Sequence, residues 1–216
     1  MEKVKIEVDK KYLSGLENFG IPYILIKGNS PEGFDYVPSL KLYIAKEKKL
    51  HGENWFDTQK ALHENGERMP TIPEFQEYLK FAKENKKDIY DKITQGRPSG
   101  AEWLDADFKV EGKNSVVYYH VFEGDEIVRK SEVFDKNTLR KDKTPGISLE
   151  SLLTNSTAQG LPKKSTKDGD LYYWAPMDDN NSVAWFDANS VRAYLGCGRN
   201  PSDGGSGLGA RAVRCE

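Results

Sequence analysis

The chain has few cysteines and few histidines, and it has no long apolar run. Two cysteines among 216 residues, Cys197 and Cys215, make no disulfide framework. They either pair, if the terminal strands are neighbours, or stand as two free, half-buried thiols. The three histidines, His51, His63 and His120, lie far along the chain from both cysteines, so a thiol nucleophile has no sequence-adjacent base to lower its pKa. No HExxH and no paired CxxC occurs. Gly204 to Gly209 leads toward a strand and not a helix, which excludes a phosphate-cradling loop. No cofactor is therefore expected. No segment is apolar for long enough to span a bilayer, and the start, MEKVKIEVDKKYL, lacks an apolar signal core. The expectation is cytoplasmic synthesis without membrane insertion, with association to a virion or a surface left open.

Charge of one sign is also missing. The formal net charge is −2 and no basic stripe is present, so nucleic acid is not an expected partner. Lys163, Lys164 and Lys167 read as a solvated loop. With 37% hydrophobic and 31% charged residues, the composition predicts one domain over 1–216, with one core and a well-solvated surface.

Val4, Ile6 and Val8 alternate with charged neighbours and predict a strand, as do Tyr23–Ile26 and Leu40–Ala45. Gly28–Pro38 between them is turn-rich. A helix is expected over Trp55–Asn65, with Trp55, Phe56 and Leu62 inward and Gly66 ending it. Thr71 followed three residues later by Glu74 is a capping box, and Pro73 suits a first turn. Phe75, Tyr78, Leu79 and Ala82 then share one helical face, while Lys80, Lys83, Lys86 and Lys87 suit the helix C-terminus. Ser115–Phe122 and Glu126–Phe134 predict a hairpin across Glu123-Gly124-Asp125. Lys136–Gly146 reads as an exposed loop, Ser148 as the cap of a short helix through Leu153, and Asn155–Asp170 as loop. Leu171–Trp174 is aromatic, Met177–Ser182 polar, and Val183–Phe186 strand-like.

The most informative segment is the last, VAWFDANSVRAYLGCGRNPSDGGSGLGARAVRCE. Framework-like Ala188, Arg192, Leu195, Cys197, Arg199 and Pro201 alternate with positions of no consistent chemistry: Asp187, Asn189, Val191, Tyr194, Gly196, Gly198 and Asn200. An ordinary half-buried strand alternates apolar with polar; here fixed-looking residues alternate with arbitrary ones. If each irregular position began as an Asn codon and only its adenines changed, the reachable set would exclude only Trp, Gln, Met, Lys and Glu. The seven positions, with Ser202, Asp203, Gly204 and Gly205, all fall inside that set. Trp185 is reachable from an AGG codon and reads either as variable or as a core strand residue. Asn180 and Asn181, in Met177–Ser182, read either as a second variable patch or as a plain turn.

The run VAWFDANSVRAYLGCGRNP followed by SGLGARAVR resembles the C-terminal variable region of proteins diversified by diversity-generating retroelements. A weaker resemblance covers Trp55–Leu79, including Arg68-Met69-Pro70-Thr71, and Glu102-Trp103. It implies an α+β, C-type lectin fold of the formylglycine-generating-enzyme branch: a mixed sheet, two helices and long loops, with the variable ligand-binding region at about 174–216. It also implies binding without catalysis, to a protein or another surface macromolecule. The expected contact residues are Asn180, Asn181, Trp185, Asp187, Asn189, Val191, Tyr194, Gly196, Gly198, Asn200, Ser202, Asp203 and Gly204. In this reading Trp185 and Tyr194 are aromatic anchors and the glycines leave room for a ligand to approach the backbone. Calcium-dependent sugar binding is disfavoured: calcium needs several oxygen ligands close in space, the proline here stands in Arg199-Asn200-Pro201, and no Trp-Asn-Asp run occurs. A formylglycine-generating enzyme is disfavoured because its close cysteine pair is absent. A non-variable lectin-like structural domain, such as a virion component, is the main rival.

Overall fold

The computed structural model describes residues 30–96 and 100–215. The strands expected at Val4–Val8 and Tyr23–Ile26 lie outside the described residues. The rest is a mixed α+β domain with two sheets.

The small sheet is built from β1 (Phe34–Val37), β2 (Leu42–Ala45) and the closing β10 (Val213–Cys215), paired antiparallel in the order β1-β2-β10. Strand β1 falls inside the stretch Gly28–Pro38, read from the sequence as turn-rich. Its Tyr36 packs on Tyr43 of β2 at 5.1 Å, a cross-strand aromatic pair that favours pairing over a free turn.

Helix α1 (Trp55–His63) starts at Asn54, whose side chain accepts from the Asp57 N–H. Gly66 follows in the left-handed conformation. Trp55 and Leu62 are buried, but Phe56 is 50% exposed and does not face the core. It follows Trp55 by a single residue, which turns it about 100° away on a helix. Helix α2 (Ile72–Asn85) carries the full capping box of Thr71 and Glu74, and Phe75, Tyr78, Leu79 and Ala82 are all buried on one face. Lys86 ends it, and a separate helix α3 (Lys87–Gln95) follows, closed by Gly96 in the left-handed region. The short α4 (Leu149–Asn155) begins at Ser148, whose side chain accepts from Ser151. The described residues therefore hold four helices where the resemblance implied two; the helix capped by Ser148 was expected from the sequence and α3 was not.

The large sheet has seven strands: β3 (Glu102–Glu111), β4 (Asn114–Glu123), β5 (Glu126–Val133), β6 (Lys143–Ile147), β7 (Leu171–Trp174), β8 (Ser182–Ala188) and β9 (Ala193–Arg199). Their order is β5-β4-β3-β8-β9-β7-β6, antiparallel except for β7 and β9. The expected β4–β5 hairpin forms, with a turn one residue shorter than expected: Glu123 pairs with Glu126 and only Gly124-Asp125 lies between them. Strand β6 occupies part of the expected loop Lys136–Gly146; it is an edge strand, where Pro145 costs no ladder bond.

One face of this sheet carries Leu171, Tyr173, Ala184, Phe186, Ala188, Ala193, Leu195 and Cys197 into the main core. Helix α2 covers it, with Phe75 packed on Phe186 at 5.0 Å. The other face is divided. Toward β3, a second cluster of Trp55, Leu62, Met69, Trp103, Val183, Leu208, Ala210 and Ala212 covers it. Toward β7 and β9 that cluster does not cover it among the described residues, and the candidate site lies there.

Candidate ligand-binding face

Side chains alternate across a strand. On β8 that sends Ala184, Phe186 and Ala188 to the core and Trp185 and Asp187 outward; on β9 Ala193, Leu195 and Cys197 go in while Tyr194, Gly196 and Gly198 face out. Strand β7 sends Tyr172 and Trp174 to the same outward face. Cross-strand register sets two rows: Trp185, Gly196 and Trp174 in one, Asp187, Tyr194 and Tyr172 in the next. Five of the expected contact residues thus share one face, and the framework residues between them are core.

The rings form a continuous stack. Trp174 lies nearly parallel to Tyr194 (5.5 Å, 7°) and to Trp185 (6.1 Å, 17°), and Tyr172 meets Tyr194 edge-on at 5.8 Å. Arg192 sits 4.1 Å over Tyr172 at one end. At the other, Arg199 lies 5.5 Å from Trp185 and 5.3 Å from Trp103, where the open face meets the covered one. Both arginines belong to the framework set. Each lies over an aromatic ring of the stack.

Gly196 does not leave room for a ligand. A Cβ there would lie 2.5 Å from Cε2 and 2.9 Å from Cδ1 of Trp185, because the indole rests on the glycine backbone. Gly198 is open by comparison, its nearest neighbour being the Met177 side chain at 3.3 Å from an added Cβ. Gly204 abuts the Gly52 carbonyl oxygen, 2.7 Å from where a Cβ would stand, so it too is a packing glycine.

The remaining expected residues divide by what holds them. The Asn189 amide donates to the Tyr194 hydroxyl at 2.7 Å, and its carbonyl oxygen accepts from the N–H groups of Val191 and Arg192. Val191 is 69% exposed at the tip of that turn. Asn200 accepts from the Ser202 N–H, and Asp203 approaches Arg199 at 3.6 Å. Asn180 stands apart. It has φ 58°, its side-chain oxygen accepts from the Val110 N–H, and its backbone carbonyl accepts from Lys109. It fastens the 178–182 turn to β3, a scaffold task. Asn181 is exposed beside it.

A cleft of about 700 Å³ opens where the 174–182 segment meets the end of β9. Trp174, Trp185, Met177 and Gly198 give it an apolar floor; Asp142, Asp179, Asn181, Arg199, Asn200 and Asp203 give it a polar wall. Asp179 is held below the ordinary carboxylate range first by the Asn181 N–H, with help from the Ser182 hydroxyl. Asp187 is pushed the other way by burial, against the pull of the Ala188 N–H, Lys48 and Arg199. The four-residue run Asp178–Asn181 is already engaged internally: Asp178 pairs with Arg140 at 2.8 Å, Asp179 accepts from Asn181 and Ser182, and Asn180 binds β3.

No family model, no curated protein and no solved structure matches this chain.

The cysteines stand as free thiols. Cys197 is fully buried and burial pushes its thiol well above the ordinary value; Cys215 is half-buried on β10. His63 and His120 meet edge-on at 4.9 Å, with His120 Nδ1 3.2 Å from Asp105, between α1 and the β3–β4 pair. The sequence pattern did not mark Tyr172 or Asp142 for the site, reached Trp174 only as a boundary, and reached Met177 only as the first residue of the candidate patch Met177–Ser182. Alternation in Leu171-Tyr172-Tyr173-Trp174 is the signal that places Tyr172 and Trp174 on one face. Asp142 reaches the cleft only through tertiary folding, its carboxylate accepting the Ala175 N–H.

Proposed function

We propose that this chain is a non-catalytic ligand-binding protein on a scaffold of C-type-lectin type, with a surface diversified by a retroelement. The observation that carries the reading is the partition along β8 and β9: the irregular positions point outward and the regular Ala188, Leu195 and Cys197 point into the core, with Arg199 at the end of β9 the exception. Substitution at Asp187, Tyr194 or Gly198 leaves the buried rows untouched, so contact chemistry can change while the scaffold stays. The open aromatic stack supplies area of the kind binding hot spots use, and the turns at Asn189–Val191 and Asn200–Asp203 flank it with exchangeable polar groups. The intended partner is a protein or another surface macromolecule.

Two details weigh against the formylglycine-generating alternative. A catalytic thiol needs access and a depressed pKa, and Cys197 has neither.

The test is a display library in which Asp187, Asn189, Val191, Tyr194, Gly198 and Asn200 are re-coded as adenine-randomised Asn codons, panned on a panel of purified proteins. The expected outcome is well-folded members that bind different panel proteins and differ only at these positions. A library that folds but yields no binder, or binders independent of these positions, contradicts the reading.

A further inference from the structure

We propose that the cleft beside the aromatic stack takes a positively charged side chain, arginine or lysine, displayed by the protein partner. This rests on the binding-face reading above and adds the chemistry of what is bound. Three observations lead to it.

The floor is aromatic, and its two indoles are part-exposed among the described residues. Trp174 stacks on its neighbours by ring contacts, and among the described residues no arginine or lysine lies over it. The outer rings of the stack already hold guanidinium groups, Arg192 on Tyr172 and Arg199 on Trp185. This surface therefore accommodates that chemistry within its own fold.

The wall is acidic. Asp142, Asp179 and Asp203 line the cleft against a single cation, Arg199. Arg199 is held between two indoles and offers Asp203 only a 3.6 Å approach. Lys109, whose charge acts on Asp179, is committed to Asp107 at 2.7 Å and to the Asn180 carbonyl. Asp178 is neutralised by Arg140 outside the lining. The cleft thus keeps an excess of carboxylate charge that an incoming cation offsets and an acidic group does not.

The floor also suits the stem of such a side chain. Met177 is 50% exposed beside the indoles, giving aliphatic and aromatic surface along which a lysine or arginine chain lies while its head reaches the carboxylates.

The experiment uses the ¹⁵N-labelled full chain and two small probes, Nα-acetyl-arginine amide and its neutral isostere Nα-acetyl-citrulline amide. The indole N–H signals of Trp174 and Trp185 are followed, and guanidinium chloride serves as the free-ion control. The arginine probe is expected to shift both signals saturably, with a Kd about five-fold below that of the citrulline probe. Asp203→Asn and, separately, Asp142→Asn should each remove part of that difference without changing citrulline binding. Equal affinity for the two probes, or no shift at either indole, overturns the proposal. Shifts reproduced by guanidinium chloride alone overturn it in favour of a free small cation. If a library partner seats on this face through neutral or acidic residues, the cation claim fails and the binding-face reading stands.

Discussion

Gly196 decides where Trp185 sits. Because the indole lies on the glycine backbone, any side chain at 196 has to lift Trp185 out of its stack with Trp174. Gly196→Ser is therefore expected to change the near-ultraviolet circular dichroism of the stacked indoles. It should cost about 0.5–1.5 kcal/mol in urea unfolding, the worth of one aromatic pair. An unchanged spectrum would mean that the two positions are independent. The same geometry implies that 185 and 196 change together: a tryptophan in this pose requires glycine opposite. Asn180 makes the contrary case. Its left-handed backbone and its bond to the Val110 N–H give it a scaffold task, so Asn180→Ala should lose roughly 1–2 kcal/mol by chemical denaturation. That task fits the plain-turn reading of Met177–Ser182 better than the reading of a second variable patch.

Among the elements, those with local signals were legible and those whose reasons are tertiary were not. Thr71 and Glu74 marked the start of α2 correctly, and the cap is complete: the Thr71 N–H donates to Glu74, which also binds Arg68 through both oxygens. Thr71→Ala should cost about 1 kcal/mol, read as a lowered urea midpoint at constant slope. Strand β3 was missed because Glu102, Asp105 and Asp107 interrupt its apolar residues. Each is buried and paired, Glu102 with Arg211, Asp105 with His120, Asp107 with Lys109 and Arg129, and of those partners only Lys109 is near in sequence. The break between α2 and α3 was missed because α3 has no side-chain cap to announce it. The outward face of β8 and β9 was legible in part. Alternation identified Asp187, Tyr194, Gly196 and Gly198 as one set and left Trp185 between a variable and a core reading; only packing reveals that Gly196 is filled by the Trp185 indole.

Over the whole molecule, a buried ion pair ties the C-terminal segment to both sheets. Arg211 meets Glu102 of β3 at 2.8 Å, both nearly inaccessible, and also donates to the Ala45 and Lys46 carbonyls at the end of β2. Arg211→Met leaves Glu102 buried without its partner and should destabilise by about 3–5 kcal/mol, read by thermal unfolding. Stability should also depend on pH through His63. Burial, with the neighbouring His120, lowers its pKa below the ordinary 6.5. The unfolded chain then binds the proton more readily than the folded one. The contribution is complete above pH 6.5 and is lost as pH falls through the lower folded value. His63→Asn should flatten that decline in urea titrations run between pH 7 and 5.

The central claim is that the outward positions of β8, β9 and their turns vary while the inward ones do not. The coding DNA tests it most directly: the 3′ end of the gene is sequenced and its flanks are searched for a template copy. The account predicts a copy that differs only where it carries adenines, at the codons for residues such as Asp187, Asn189, Val191, Tyr194, Gly196, Gly198 and Asn200, with the codons for Ala188, Leu195 and Cys197 identical. Flanks without such a copy, or differences spread equally over the inward codons, would contradict it.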